Sequence, residues 1–270
     1  MIQLKISRLV TLLLVSMAMA ASHGIIIRHD RGPAAYEVRS SDYPSVFFLE
    51  RQEYRKVCVA TVIHARWAIT AAHCADETTL ASTLRQGRQF AVLVGNSPRV
   101  VDRLVVHPRY NPNSPTDVDL ALIRFVNASS TPLPMPLQIE QNELGQVLNL
   151  LGWGFFGLGT TGRQYDDGRL RLAQNRVTVA DGRLRVVFDD PRDTRDKALP
   201  LEGTPGLGDS GGPALMETSA GFSLAGIAVG ELEGADFSEE TQGKYGSIAV
   251  YERISQHINW IESVVSGQGS

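Results

Sequence analysis

The sequence has few cysteines, no strongly basic segment and, after its first twenty residues, no long apolar run. Its 270 residues include 2 Cys, 26 Lys and Arg, and 29 Asp and Glu, for a net charge of −3. Two cysteines exclude a disulfide-dense scaffold, and the absence of a basic run argues against a nucleic-acid surface. No later stretch is apolar enough to anchor the chain in a membrane. With 43 % hydrophobic residues, the composition is that of an ordinary globular protein.

The first twenty residues have the pattern of a secretory signal peptide. Lys5 and Arg8 are their only charges, an apolar run follows over Leu9–Met19, and Ala18–Ala20 carries small residues at both ends. The run is too short to span a bilayer permanently, so we expect it to be cleaved and the protein to be secreted, into a periplasm or an extracellular space. The mature chain would then begin at Ala21.

The two cysteines, Cys58 and Cys74, are close together in the sequence. In the oxidising compartment that export implies, such a pair tends to form a disulfide. Closing a loop of about fifteen residues would stabilise the fold by about 3 kcal/mol on the chain-entropy model. The alternative is two free thiols with a structural role.

The hydrophobic pattern is mostly that of short strands separated by turn residues such as Asp167-Gly168 and Asp181-Gly182. Many short strands without alternating helices favour an all-β barrel or sandwich over a parallel sheet. The predicted strands are Ser45–Leu49, Val57–Ile63, Trp67–Thr70, Gln89–Val94, Val100–Val106, Leu120–Val126, Val147–Gly152, Arg169–Val179, Leu184–Phe188, Leu224–Val229 and Ser247–Tyr251.

Two segments depart from this strand pattern. Asn127–Gln141 contains three prolines, which predicts an extended crossover between two halves of similar β character. Ile254, Ile258, Ile261 and Val265 recur at helical spacing and predict a C-terminal helix from about Arg253 to Val265. The resulting boundaries are a signal peptide at 1–20, an N-terminal segment or short propeptide at 21–43, β-barrels at 44–126 and 147–252, a crossover at 127–146, and a helix with its tail at 253–270.

The string Gly208-Asp209-Ser210-Gly211-Gly212-Pro213 is the strongest chemical signal in the chain. Its glycines permit backbone conformations that a Cβ would block. In such a turn, successive N–H groups face one point beside the serine hydroxyl. A nucleophile and a site for a developing oxyanion are therefore predicted together.

A histidine and a carboxylate complete a candidate catalytic set. His73 follows a predicted strand beside Cys74, and Asp119 heads an apolar strand. A carboxylate partly buried there needs a hydrogen-bond donor, and a histidine N–H is a fitting one because the bond would fix the imidazole tautomer. Asp117 is the alternative acid; we prefer Asp119 because the apolar run begins directly after it.

Together these motifs resemble the trypsin/chymotrypsin family of serine endopeptidases, over most of the chain from about Pro44 to Ile261. The order His73, Asp119, Ser210 is that of the family. The resemblance implies a fold of two antiparallel six-stranded β-barrels with a C-terminal α-helix, and an active site between the barrels. The matching segments are Thr70-Ala71-Ala72-His73-Cys74 with the Cys58–Cys74 disulfide, Asp119–Ile123, Gly152-Trp153-Gly154, Gly208–Pro213, and Val250-Tyr251 with the helix carrying Trp260.

The resemblance also implies a role for each site residue. Ser210 attacks the scissile carbonyl, His73 transfers the proton, and Asp119 orients His73 and stabilises its cation. The backbone N–H groups of Gly208 and Ser210 bind the oxyanion. The substrate is a protein or peptide, protein protease inhibitors are possible partners, no cofactor or metal is required, and the chain is expected to be a monomer that binds neither nucleic acid nor membrane.

The substrate pocket departs from the trypsin pattern. The resemblance places the pocket at Thr204, Val229, Gly230 and Ala249, and Thr204 stands where trypsin-like members carry an acid. A neutral floor favours an apolar or small polar side chain, unless Glu231 or Glu233 reaches in from the opposite wall.

Activation departs from the family pattern as well. The sequence contains no Ile-Val-Gly-Gly string whose freed amine would pair with the aspartate before the nucleophile. Because Asp209 would be costly to bury unpaired, we expect an amine generated near Ile25, or another cation, to pair with it.

Two other functions are compatible with parts of the sequence. Gly208–Gly212 also matches the G-x-S-x-G elbow of α/β-hydrolases, with Asp236 and His257 following in that family's order, but the alternating helices are missing. A non-catalytic binding protein on the trypsin fold is the other alternative; it is disfavoured because no member of the Ser-His-Asp set is lost.

Overall fold

The computed structural model describes residues 25–114, 116–195, 198–232 and 241–267, and within them the chain is built mainly from antiparallel strands. The predicted signal peptide at 1–20 lies outside the described residues. None of the described helices is long and apolar enough to cross a membrane.

After a two-residue strand, β1 (Ile26–Ile27), the first half of the chain contains the strands β2 (Val46–Gln52), β3 (Arg55–His64), β4 (Trp67–Thr70), β5 (Phe90–Val94), β6 (Ser97–Val106) and β7 (Ala121–Phe125). The last six form an antiparallel sheet with the strand order β2-β3-β4-β7-β6-β5. Its end strands, β2 and β5, lie against each other, so the sheet curves into a barrel. Two short helices, α1 (Cys74–Glu77) and α2 (Leu80–Arg85), connect β4 to β5.

The strands of the second half are β8 (Val147–Gly152), β9 (Phe156–Leu158), β10 (Gly162–Tyr165), β11 (Arg171–Ala180), β12 (Arg183–Val187), β13 (Gly203–Thr204), β14 (Pro213–Thr218), β15 (Gly221–Glu231) and β16 (Ile248–Arg253). Six of them form a closed barrel with the strand order β11-β12-β16-β15-β14-β8. The three others join β1 in a small separate sheet with the order β10-β9-β1-β13.

Side-chain alternation explains the strands most directly in β5. Phe90, Val92 and Val94 are buried while Ala91 and Leu93 face solvent, which is the period of two expected of a strand with one buried face. The core is continuous between the two halves, because Leu151 and Trp153 belong to the same cluster as the buried residues of the first sheet. The predicted all-β fold with two six-stranded barrels is confirmed.

The C-terminal helix begins later than its pattern predicted. A 3-10 turn covers Ile254–Gln256, and the helix α3 covers Ile258–Val265. Ile254 and Ile261 are buried, and Ile258 and Val265 pack against the same core while partly exposed. The apolar stripe therefore docks on the barrels as expected, but its first member belongs to the turn that precedes the helix.

Candidate active site

His73 and Asp119 are joined by two hydrogen bonds. The backbone N–H of His73 donates to Oδ1 of Asp119 at 2.9 Å, and its Nδ1 lies 2.5 Å from Oδ2. Since a carboxylate accepts, Nδ1 carries the proton and Nε2 of the neutral ring keeps its lone pair. His73 follows β4 at the start of α1, and Asp119 lies two residues before β7, the strand paired with β4. Adjacent strand ends thus bring the two side chains together.

The environment of His73 raises the pKa of its imidazole above the usual 6.5. Burial acts in the opposite direction, because it disfavours the charged ring. The hydrogen bond and the negative charge of Asp119 outweigh burial, and the charge of Glu77 adds to them. The imidazolium that forms during proton transfer is therefore stabilised by its neighbours.

Asp117, the alternative acid, has a different partner. Its Oδ1 accepts a hydrogen bond from Nη2 of Arg183 at 2.7 Å. The structure therefore brings Asp119, and not Asp117, into contact with His73.

The predicted disulfide between Cys58 and Cys74 is present. The sulfur atoms are 2.07 Å apart and the Cα atoms 5.9 Å apart, within the range of ordinary disulfides. It joins β3 to the first residue of α1, directly after His73. The crosslink therefore fixes the segment that carries the histidine.

The loop of Ser210 packs against β3 of the first barrel. The backbone N–H of Val59 donates to the carbonyl of Ser210 at 2.7 Å, and that of Cys58 donates to the carbonyl of Gly208 at 3.2 Å. Gly208 and Gly211 have φ values of 97° and 76°, which favour glycine. A Cβ on Gly211 would lie 2.3 Å from Oγ1 of Thr70, three residues before His73. The loop is therefore set beside the histidine segment.

Ser210 is partly exposed, and its hydroxyl is not hydrogen-bonded to His73 among the described residues. In ligand-free structures the bond between nucleophile and base is often long and shortens when substrate binds. Asp119 is thus hydrogen-bonded directly to His73, whereas the Ser210 loop is connected to the histidine segment indirectly. Val59 bonds to the carbonyl of Ser210 and accepts a hydrogen bond from Oγ1 of Thr70.

Asp209 is fully buried beneath this loop. Its Oδ1 accepts the N–H of Gly154 at 2.6 Å, and its Oδ2 accepts the N–H of Gly206 at 2.8 Å. Burial raises its pKa to about 7 despite these bonds. A Cβ on Gly152 would come within 1.8 Å of Oδ1, which explains why glycine stands at that position of the Gly-Trp-Gly segment.

A cavity of about 50 Å³ opens beside Ser210, lined by Gly206, Leu207, Glu231 and others. Two of the predicted pocket residues, Gly230 and Ala249, line it. The other two do not: Thr204 is buried in β13, where it pairs with Ile26, and Val229 is not among the lining residues. A strand of two residues is too short to show an alternating pattern. The sequence therefore does not predict the pairing with Ile26 that keeps Thr204 out of the cavity lining.

Glu231 supplies a carboxylate to the wall of this cavity. Its Oε2 accepts the N–H of Gly243 at 3.0 Å, and burial raises its pKa to about 6. Of the two acids considered from the sequence, Glu231 therefore lines the pocket, while Glu233 lies outside the described residues. A β-bulge in β15 before Gly230 shifts the register of this strand end, which the sequence pattern did not reveal.

The potential metal ligands near His73 are limited by the disulfide. Cys58, Cys74, His73 and Glu77 lie within 4.8 Å of one another, but bonded sulfurs are not thiolates. Two donors remain, His73 and Glu77, whereas structural zinc sites use four protein ligands. The expectation of no required metal stays a prediction.

A larger cavity, of about 800 Å³, is lined in part by Asp117 and Val118, which directly precede Asp119 in the chain. Arg183, Glu252, His257 and Trp260 contribute to its lining, whereas Ser210 and His73 do not. The Oε1 of Glu252 accepts the backbone N–H of Asp119 at 3.0 Å. Glu252, at this larger cavity, therefore holds the backbone of Asp119 in place. Ser210, the candidate nucleophile, lines the smaller cavity instead.

This fold is that of trypsin-like serine proteases, and the chain belongs to the trypsin family. The family model described as Trypsin matches residues 34–261. Within the described residues, the all-β topology has no alternation of strands and helices such as the α/β-hydrolase alternative requires, and Asp236 of that alternative lies outside them.

Several named proteases are similar to this chain. Transmembrane protease serine 9 of Rattus norvegicus is 29 % identical over 234 residues, covering 80 % of this chain and 20 % of that protein. Vitamin K-dependent protein C of Oryctolagus cuniculus is 26 % identical, with 83 % and 50 % covered. Serine protease SP24D of Anopheles gambiae is 28 % identical, with 77 % and 72 % covered. The chain thus spans a fifth to about three quarters of the length of these relatives.

The solved structure of neuropsin, a serine protease of mouse brain, has the same fold. It superposes with a TM-score of 0.62 at 21 % identity, covering 85 % of this chain and 98 % of that one.

Proposed function

We propose that this protein is a secreted serine endopeptidase that hydrolyses peptide bonds through Ser210, His73 and Asp119. The observation that carries the proposal is the bond between Nδ1 of His73 and Oδ2 of Asp119. It leaves Nε2 as the base on the side of the ring away from Asp119, and it holds the ring in the tautomer that proton abstraction needs.

The reaction proceeds in two halves. Ser210 Oγ bonds to the scissile carbonyl carbon as its proton moves to His73 Nε2, and the tetrahedral oxyanion accepts hydrogen bonds from the N–H groups of Gly208 and Ser210. The C–N bond then breaks, with the proton passing from His73 to the leaving amine. Water repeats the sequence on the acyl-enzyme and releases the carboxylic acid.

The proposed setting is outside the cytoplasm. The N-terminal apolar segment and the disulfide both support export. Protein or peptide substrates, and protein inhibitors that imitate them, are the partners we propose, with the protease itself a monomer.

The proposed activation uses a new amine at or near Ile25. Ile25, Ile26 and Ile27 are fully buried, and β1 is packed between β9 and β13. An amine formed in this segment would give the buried carboxylate of Asp209 a cationic partner. N-terminal sequencing of active protein tests this proposal; an active species that still begins at Ala21 would exclude it.

The test of the function is hydrolysis of a peptide library by the purified protein beside Ser210→Ala. We expect cleavage by the parent and a loss of at least about 10³-fold in the variant. Stoichiometric labelling of Ser210 by an organophosphonate distinguishes the protease from the non-catalytic binding protein. Correctly processed protein that neither cleaves nor labels would support the binding protein instead.

A further inference from the structure

Glu77 places a carboxylate beside the catalytic histidine on the side away from Asp119. It is the last residue of α1, one helical turn after His73, and its Oε2 lies 4.0 Å from Nε2 of that residue. The same oxygen lies 3.7 Å from Sγ of Cys58, so the carboxylate sits over the disulfide. About half of its side chain remains exposed, at 49 %.

The backbone that carries Glu77 is held from β2. Nε2 of Gln52 donates to the carbonyl of Glu77 at 2.9 Å, and Oε2 of Glu50 accepts the N–H of Thr79 at 3.0 Å. With the disulfide at its other end, α1 is fixed on both sides. The carboxylate of Glu77 therefore has a defined position relative to His73.

Glu77 lies on the side of His73 that the leaving group of the substrate approaches. This inference rests on the proposed protease function. The oxyanion faces the N–H groups of Gly208 and Ser210, and the side chain before the scissile bond enters the cavity beside Ser210. The leaving nitrogen must approach Nε2 of His73, because it takes its proton there. The residue attached to that nitrogen consequently passes within reach of Glu77.

The charge of Glu77 is not neutralised by a lysine or an arginine among the described residues, and the neighbouring His73 ring is neutral before proton transfer. Among the described residues, no Lys or Arg nitrogen lies within 4.0 Å of its carboxylate. Lys56, the nearest lysine along β3, donates to the carbonyl of Gly168 and lies over the ring of Phe48. Asp76, the neighbouring acid, faces Arg85 at 3.8 Å.

We propose that Glu77 binds the side chain that directly follows the scissile bond and selects Lys or Arg there. A Lys or Arg side chain at this position would form an ion pair with the half-exposed carboxylate of Glu77. An Asp or Glu side chain would be repelled by its like charge.

The test uses quenched peptides that are identical except for the residue after the scissile bond, which is Lys, Arg, Ala or Glu. For the activated wild-type protein we expect kcat/KM for Lys or Arg to exceed that for Glu by about five- to tenfold, as exposed charge pairs allow. Glu77→Gln should bring this ratio close to one, and Glu77→Arg should reverse it. Asp76→Asn is the matched control, with the same loss of charge one residue away, and should keep the wild-type ratio.

A second measurement separates recognition from chemistry. Amino-acid amides added to the acyl-enzyme compete with water, so their partition reports recognition on the leaving side alone. Arginine amide should be the better acceptor than glutamate amide in wild type but not in Glu77→Gln, and high salt should weaken the preference. Equal rates across the peptides, or the same ratio in Glu77→Gln, would overturn this inference alone. Failure of every peptide to be cleaved would overturn the proposed function as well.

Discussion

The backbone N–H of Asp119, in the first barrel, donates to Oε1 of Glu252, in the second, at 3.0 Å. The same oxygen accepts Nε of Arg183 at 2.7 Å, and Nη2 of Arg183 binds Oδ1 of Asp117 at 2.7 Å. Glu252 is 1 % exposed. The carboxylate that orients His73 is thus held in place by an ion-pair network that joins the two halves of the chain.

Breaking this network from one side should be costly. Glu252→Ala leaves the N–H of Asp119 without an acceptor and Arg183 with Asp117 as its remaining carboxylate partner, so we expect a loss of about 1–3 kcal/mol in the free energy of unfolding. Urea unfolding measures the change. Arg185→Gln is the control, because its pair with Asp181 is largely exposed and should contribute less than about 1 kcal/mol. Equal effects of the two substitutions would contradict the assigned role of Glu252.

The acid limb of the pH profile should report the environment of His73. Since Asp119 and Glu77 raise the pKa of His73 above 6.5, kcat/KM should reach half its maximum above that pH and rise as the ring loses its proton. Asp119→Asn should lower kcat by about 10⁴-fold, because the wrong tautomer becomes favourable. It should also move the limb to lower pH. A wild-type limb well below pH 6.5 would show that the pair does not hold the ring as the structure indicates.

Strand alternation predicted most of both barrels but not the elements whose pairing depends on tertiary contacts. β14 begins at Pro213 inside the glycine motif, and its buried run Pro213–Met216 has no alternation. β1 and β13 have two residues each, too few for any period. These strands form because neighbouring strands supply their hydrogen-bond partners. The hydrophobic pattern of a single sequence does not show which strands become neighbours.

The candidate catalytic residues could be predicted from the sequence because each lies in a distinctive local motif. The motifs of His73, Asp119 and Ser210 can be recognised without knowing how the strands pair. The supporting acids have no such signal. Glu252 reaches Asp119 only because β16 pairs with β12 and β15 in one particular register. Glu77 had a weak signal, its spacing of four residues from His73 on one helix.

Asp209 should make the stability of the uncleaved protein depend on pH. Burial raises its pKa to about 7 from an ordinary 3.8, so the fold favours the neutral acid. Its contribution is complete below about pH 4 and is lost as the pH rises through about 7, by up to about 4 kcal/mol. Glu202 has a similarly raised pKa, so the comparison must be with Asp209→Asn, which removes one of these groups alone. The difference in unfolding free energy between the two proteins should change over pH 4–7, and a constant difference would refute the prediction.

Recognition of the residue before the scissile bond should depend on pH through Glu231. Glu231 lines the cavity beside Ser210, and burial raises its pKa to about 6. A lysine at this position gains attraction only when Glu231 is ionised, whereas norleucine, of similar shape but neutral, does not. The ratio of kcat/KM for lysine to norleucine peptides should therefore rise as the pH increases through about 6, and because His73 serves both substrates its titration cancels from the ratio. Glu231→Gln should leave the ratio independent of pH. If the ratio rises equally in that variant, the carboxylate that the substrate meets is not Glu231.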